Sequence, residues 1–251
     1  MKYLHIDVLK KADAASYADA KPFSYTILQN PLPDAGYRLL LTSAPTLDQL
    51  EPSFGMERKF GQMSHDRYER YDSPAFRKTL KPEWQEFLAE LEGPEYRAFL
   101  ARMFGVRDFT LRFQWQYAVA GGSVSPHCDS VKKVGSHLFY FNDPETWNPA
   151  WGGQTQILFD PSGRQVCESA PRDDEFEIVT KTDGYGNQSL LFSRTNNSWH
   201  SVSPLAMPPG TVRRLFTVVA DKPRTIADTI KGYARVFYKK ITGGVSGTPK
   251  G

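Results

Sequence analysis

"FTLRFQWQYAVAGGSVSPHCDS", residues 109–130, carries two signals back to back. Leu111, Phe113, Trp115 and Tyr117 alternate with Arg112, Gln114 and Gln116. Strand side chains alternate with period two, so this is a strand with one apolar and one polar face. Gly121, Gly122 and Pro126 interrupt the run, and His127 and Asp129 follow, two residues apart. In extended chain, residues i and i+2 leave on the same side. An imidazole and a carboxylate therefore emerge together, which is two-thirds of a metal site or a coincidence.

Downstream the same texture repeats. "GSHLFYFN" (135–142), "GGQTQILFD" (152–160), "QSLLFSR" (188–194) and "VRRLFTVVA" (212–220) read as strands parted by Gly, Asn, Pro and Asp clusters. Residues 160–187 are polar and read as an insertion loop. Upstream, "FSYTILQN" (23–30) reads as a strand, and a helix is expected from about Asp34 into the forties. Residues 43–74 are turn-rich and read mostly as loop. Over 73–105, Phe87, Leu88, Leu91, Tyr96, Phe99 and Leu100 recur at helical spacing, with Pro82 and Pro94 near helix starts and Gly93 as a breaker. Helices followed by an antiparallel run imply an α+β chain with a sandwich or barrel core. The tail offers an amphipathic helix over 223–241, with Ile226, Ile230, Phe237 and Ile241 on one face. It is read as packing on its own domain, with a homo-oligomer built through it as the alternative.

Bulk properties set the frame. The chain has 251 residues, enough for one large domain, with 40% hydrophobic and 24% charged residues. A net charge of +3, from 31 basic and 28 acidic residues, is too balanced for nucleic acid or a membrane surface as a bulk partner. Cys128 and Cys167 make no disulfide framework. The N-terminus lacks the pattern of a signal peptide, and no apolar run reaches the ~20 residues that span a bilayer. A cytoplasmic location is the expectation.

A site of two histidines and one carboxylate needs a second histidine. His5 and His65 fall in sequence read as poorly structured, and His137, inside a strand, reads as a buried residue bonded to a neighbour. His200 ends an apolar strand and polar turn, "SLLFSRTNNSWH", which can aim an imidazole into a cavity mouth. Such a triad leaves three positions of an octahedral metal open, which suits non-haem Fe(II) with oxygen, whereas zinc favours closed or nearly closed tetrahedral sets. A co-substrate chelating iron through two oxygens needs a cation for its far carboxylate. Arg213 and Arg214, just downstream of His200, are candidates with no acidic neighbour in their strand. Period two puts Arg213, Leu215 and Thr217 on one face and Arg214, Phe216 and Val218 on the other. Either could serve as that cation.

In this order, the motifs resemble those of the Fe(II)/2-oxoglutarate dioxygenases, in particular the prolyl-4-hydroxylase-like branch. The similarity covers about residues 110–221, through "QYAVAGGSVSPHCDS", "LFYFNDPETWNPAWGGQTQILFD" and "NQSLLFSRTNNSWHSV", with a looser echo in "PFSYTILQNPLPDAGYRLLL". The resemblance implies a double-stranded β-helix, or jelly roll, over about 107–221, with helices packed on the larger sheet and a strand and helices over 20–106 before it, all one domain. Carried over position by position, His127, Asp129 and His200 would hold Fe(II), and Arg213 would pair with the C5 carboxylate of 2-oxoglutarate. Tyr140 would help hold that carboxylate, and Tyr117, ten residues before His127, would line its pocket. Gly152 and Gly153 would bend the backbone, and Cys128 would point away from the metal.

The activity implied is hydroxylation of an unactivated C–H bond using O2, with release of succinate and CO2 and with ascorbate as a reductant. Asp129 argues for hydroxylation, since halogenating members lack that carboxylate. A small polar molecule is the favoured substrate, because no peptide-binding module is visible. A prolyl or other residue of a protein or peptide is one alternative, and a non-catalytic jelly-roll binding protein is another.

Overall fold

A computed structural model describes residues 1–56, 66–164 and 170–223. Two antiparallel sheets face each other. The larger runs in the order β1 (Tyr25–Gln29), β9 (Gln188–Ser193), β6 (Lys133–Tyr140), β11 (Arg213–Asp221), β4 (Thr110–Ala118), β3 (Arg67–Tyr71) and β2 (Glu51–Ser53). The smaller runs β5 (Val124–His127), β10 (His200–Val202), β7 (Thr155–Phe159) and β8 (Glu177–Lys181). This is the expected α+β double-stranded β-helix, with the sheets separate rather than closed into a barrel.

The central strand β11 explains the layering. Its register against β4 pairs Phe216 with Trp115 and Val218 with Phe113 on one face. Helices α4 (Pro82–Glu92) and α5 (Pro94–Phe104) cover that face through Trp84, Phe87, Leu91, Tyr96 and Phe99, all in one apolar core with Trp115 and Phe216. Pro82 and Pro94 each start a helix, where no backbone N–H partner is needed, and Gly93 joins the two. Burying a side chain of this size stabilises the fold by about 1.5–3 kcal/mol. On the opposite face Leu215 joins Leu138, Tyr140, Ile157, Leu190, Phe192 and Phe23 in a second core between the sheets.

His137 sits on the helix side, wholly buried, with the Tyr96 hydroxyl 2.8 Å from Nδ1 and the Ser189 hydroxyl 2.9 Å from Nε2. It is the hydrogen-bonded core histidine expected. The helix over Asp34–Thr42, α3, also stands where expected.

Three local expectations are corrected. The first residues are not irregular: α1 (Ile6–Lys11) and α2 (Ala14–Asp19) form short helices anchored by buried Leu9 and Tyr17. Two six-residue helices have too few turns for a periodic signal, and packing holds them. The stretch read as loop over 43–74 contains β2 and β3, and that read as loop over 160–187 contains β8. Both β2 and β8 are edge strands exposed along most of their length, Ile178 and Val179 of β8 included, so neither shows the alternation that marks a half-buried strand. His65, Cys167 and residues 224–251, nearly all of the expected C-terminal helix, lie outside the described residues. Among the described residues no helix is long and apolar enough to cross a membrane.

Candidate metal centre

Strands β5 and β10 bring two distant histidines together. His127 and His200 are cross-strand partners, so their rings share a face, with centroids 4.2 Å apart. Asp129 follows just past the end of β5, and one ligand atom from each of the three residues lies within 4.8 Å of the others. Each histidine places Nδ1 3.0 Å from the carbonyl two residues before it, Ser125 for His127 and Ser198 for His200. A carbonyl only accepts, so Nδ1–H donates and the neutral ring carries its lone pair on Nε2. That is the tautomer of a metal-ligating histidine whose other nitrogen is fixed by backbone.

Asp129 is held from its far side. Its Oδ2 accepts from Ser136 Oγ at 3.1 Å and pairs with Lys133 Nζ at 2.8 Å, and Arg194 Nε donates to its backbone carbonyl at 3.1 Å. Burial alone would raise the Asp129 pKa, but nearby positive charge, the Lys133 ammonium first, outweighs it and holds the carboxyl well below its ordinary range. Cys128, between the ligands, points outward and packs with Leu158, Phe176 and Trp199, as expected for the residue out of phase.

The two arginines part by strand periodicity. Arg213 faces between the sheets and is wholly buried, and Arg214 faces the helices, half-buried, 5.9 Å from the Tyr117 ring centroid. Arg213 Nη2 donates to Thr155 Oγ1 at 3.2 Å, and its guanidinium lies 5.5 Å from the Tyr140 ring centroid. Tyr140 donates its hydroxyl to the same Thr155 oxygen at 2.8 Å. Burial lowers the Arg213 pKa, and no carboxylate pairs with it among the described residues. Its Nε and the hydroxyl of Thr217, four residues on along the same face, are buried with no hydrogen-bond partner among the described residues. Gly153 passes so close that a Cβ there would fall 2.8 Å from Arg213 Cδ, at a φ of +78°. With Gly152, also at positive φ, it bends the chain, and neither supplies a reacting group.

A cavity of about 420 Å³ connects these groups, lined among others by His127, Asp129, His200, Arg213, Thr155 and Thr217. Tyr140 lies behind Arg213 rather than on the cavity wall. Tyr117 is not brought to this cavity. It pairs across β4–β11 with Arg214 and packs in the helix-side core, so its expected place in the co-substrate pocket is corrected. Counting ten residues back from His127 crosses the Gly121–Gly122 loop, and one residue of slip there reverses the face. Gln116, next to it, faces in.

Several lining residues were missed as functional. Gln114 and Gln116 were legible as the polar face of a strand. Arg67, Glu69 and Tyr71 of β3 form an outer wall of the cavity within a stretch read as loop. Thr155, Lys133 and Ser136 have no signal in their spacing, since each meets its partner only through the fold.

No protein-family model matches the chain, and no curated protein matches it in sequence. Solved structures do match. A prolyl-4-hydroxylase from Pseudomonas putida superposes with a TM-score of 0.59 at 16% identity, over 84% of this chain and 98% of that one. A prolyl hydroxylase from Trichoplax adhaerens, in complex with a hypoxia inducible factor peptide fragment, gives 0.56 at 16% identity, over 86% and 89%. SnoK, a non-heme alpha ketoglutarate dependent carbocyclase from nogalamycin biosynthesis, gives 0.57 at 9% identity, over 90% and 92%. The chain thus has the fold of the 2-oxoglutarate and Fe(II) oxygenases, with prolyl hydroxylases among its structural neighbours.

Proposed function

We propose that the protein is an Fe(II)- and 2-oxoglutarate-dependent oxygenase that hydroxylates a C–H bond of a small polar molecule. The observation that carries the reading is Arg213. A wholly buried guanidinium with an orphaned Nε and no carboxylate among its described partners is costly unless a guest anion meets it. A dicarboxylate whose other end chelates a metal at the triad satisfies that need, and Arg binds carboxylates through a planar fork.

His127 and His200 through Nε2, with a carboxylate oxygen of Asp129, would hold Fe(II). Arg213 and the hydroxyl of Thr217 would take the far carboxylate of 2-oxoglutarate, with Tyr140 and Thr155 keeping the guanidinium in place. Iron, when bound, supplies the oxygen activation that couples decarboxylation of 2-oxoglutarate to succinate and CO2 with hydroxylation of the substrate. The backbone carbonyls of Ser125 and Ser198 fix both rings, and Leu138, Phe192 and Leu215 keep the floor of the cavity apolar.

A cavity of about 420 Å³ that also takes the co-substrate suits a small second guest. One neighbour is bound to a peptide, so a peptide substrate is the competing reading. We read the whole chain as one domain working in the cytoplasm, with ascorbate as reductant.

The protein is mixed with Fe(II) and 2-oxoglutarate without oxygen. A weak visible charge-transfer band is expected, and on admitting oxygen a metabolite pool should stimulate succinate release. No band and no succinate would leave a non-catalytic binding protein as the better reading. Stimulation by peptides alone would reverse the choice of substrate class.

A further inference from the structure

Lys133 opens β6 on the cavity wall, with its side chain 17% exposed and its Nζ 2.8 Å from Asp129 Oδ2. Apart from the metal triad and Arg213, the other charged groups on that wall are matched within the protein. Arg67 meets Glu69 at 2.9 Å, and Arg112 meets Asp221 at 2.9 Å. Before any guest enters, Lys133 answers Asp129.

Loading the cavity changes this balance, if the oxygenase reading above holds. Fe(II) and Arg213 then carry three positive charges, and Asp129 with doubly charged 2-oxoglutarate carries three negative ones. That set is neutral by itself. Lys133 remains as a largely buried ammonium with no countercharge of its own, an arrangement that costs free energy. A neutral substrate would leave it so, whereas a negatively charged one would relieve it. We propose that the substrate is an anion, carboxylate in class, and that Lys133 receives its charged group beside the triad. Lys133 would thus set specificity, and Ser136 would keep its hold on Asp129 Oδ2.

The test uses the protein loaded with Mn(II) and 2-oxoglutarate, which does not turn over. Formation of that complex is followed first, by calorimetry and by the Mn(II) resonance signal. If it does not form, the oxygenase reading falls, and this inference with it. Acetate and acetamide, nearly equal in shape, are then titrated into the complex. Acetate is expected to bind about tenfold more tightly than acetamide or better. Lys133→Arg keeps that preference, and Lys133→Met or Lys133→Gln, once seen to take up Mn(II) and 2-oxoglutarate, loses it. Acetate binding no better than acetamide overturns the proposal and leaves the oxygenase reading standing. So does a preference that survives in Lys133→Met, which would mean acetate meets the metal directly. If the variants fail to load, the comparison in the unaltered protein decides alone.

Discussion

His127 and His200 stand directly opposite each other on neighbouring strands, 73 positions apart along the chain, with ring centroids 4.2 Å apart. Each ring is pinned by a carbonyl of its own strand or turn, so neither needs the metal to find its orientation. His127→Ala or His200→Ala is therefore expected to keep the fold and to weaken Mn(II) binding by about 100-fold or more, since even losing an outer-shell partner costs about 10–100-fold. Calorimetry with circular dichroism checks both halves. Unchanged Mn(II) affinity in either variant would remove that histidine from the metal site.

Arg213 and Arg214 make a sharper contrast, because adjacent residues face opposite cores. Losing one member of a buried charged pair costs about 2–5 kcal/mol. Arg213→Met should weaken 2-oxoglutarate binding accordingly, and Arg214→Met should change it less than about threefold. Without ligand, Arg213→Met should be as stable as the unaltered protein or more so, because a hydrophobic residue replaces an unmatched buried charge. Urea unfolding with and without 2-oxoglutarate checks this. Destabilisation of the unliganded Arg213→Met protein would mean that the guanidinium serves the fold.

Those two arginines also mark how far sequence reaches. Period two along β11 separated them, and the same rule sorted β4 into its helix-side and cavity-side faces. The His-x-Asp pair was legible because its members are two residues apart. Tyr117 was misplaced because spacing was counted through a glycine loop, where periodicity has no hold. β3 and β8 were hidden because neither alternates apolar with polar residues, β8 carrying Ile178 and Val179 side by side and exposed, and the ladder that defines each is a pairing with distant chain. Lys133, Ser136 and Thr155 became visible only once β6 and β7 were set beside the triad.

His137 gives the fold an acid limit separate from the candidate site. Burial pushes its pKa down from 6.5 to about 3. The unfolded chain takes up this proton near pH 6.5, and the folded chain does not until about pH 3. The stabilisation by the neutral ring is thus complete above pH 6.5 and is lost as pH falls through that window, by about 1.4 kcal/mol per pH unit. His137→Gln retains hydrogen-bonding groups but no proton to gain. The difference in unfolding free energy between the two proteins should shrink with that slope below pH 6.5. A difference independent of pH would show that the ring does not resist protonation.

Trp84 ties the helix layer to the larger sheet. Its ring lies 5.1 Å from both Phe141 and Phe216, and its indole N–H donates to the Leu40 carbonyl at 3.0 Å. Trp84→Ala should cost about 3–5 kcal/mol through the cavity it leaves, and Trp84→Phe less. Denaturant midpoints check the order. A Trp84→Ala protein within 1 kcal/mol of the unaltered one, on the order of ordinary surface changes, would mean that the helices are not clamped through this residue.

The histidines hang from the smaller sheet and Arg213 from the larger, and Thr155 stitches the two where it meets Arg213 and Tyr140. A molecule gripped at one end by each sheet works as a calliper bar. Its length has to match the gap between the jaws, so diacids one carbon shorter or longer should seat poorly even with both charged ends intact. The selectivity for co-substrate would then be a property of how the two layers are spaced, and mutations far from the cavity that shift one layer on the other would retune it.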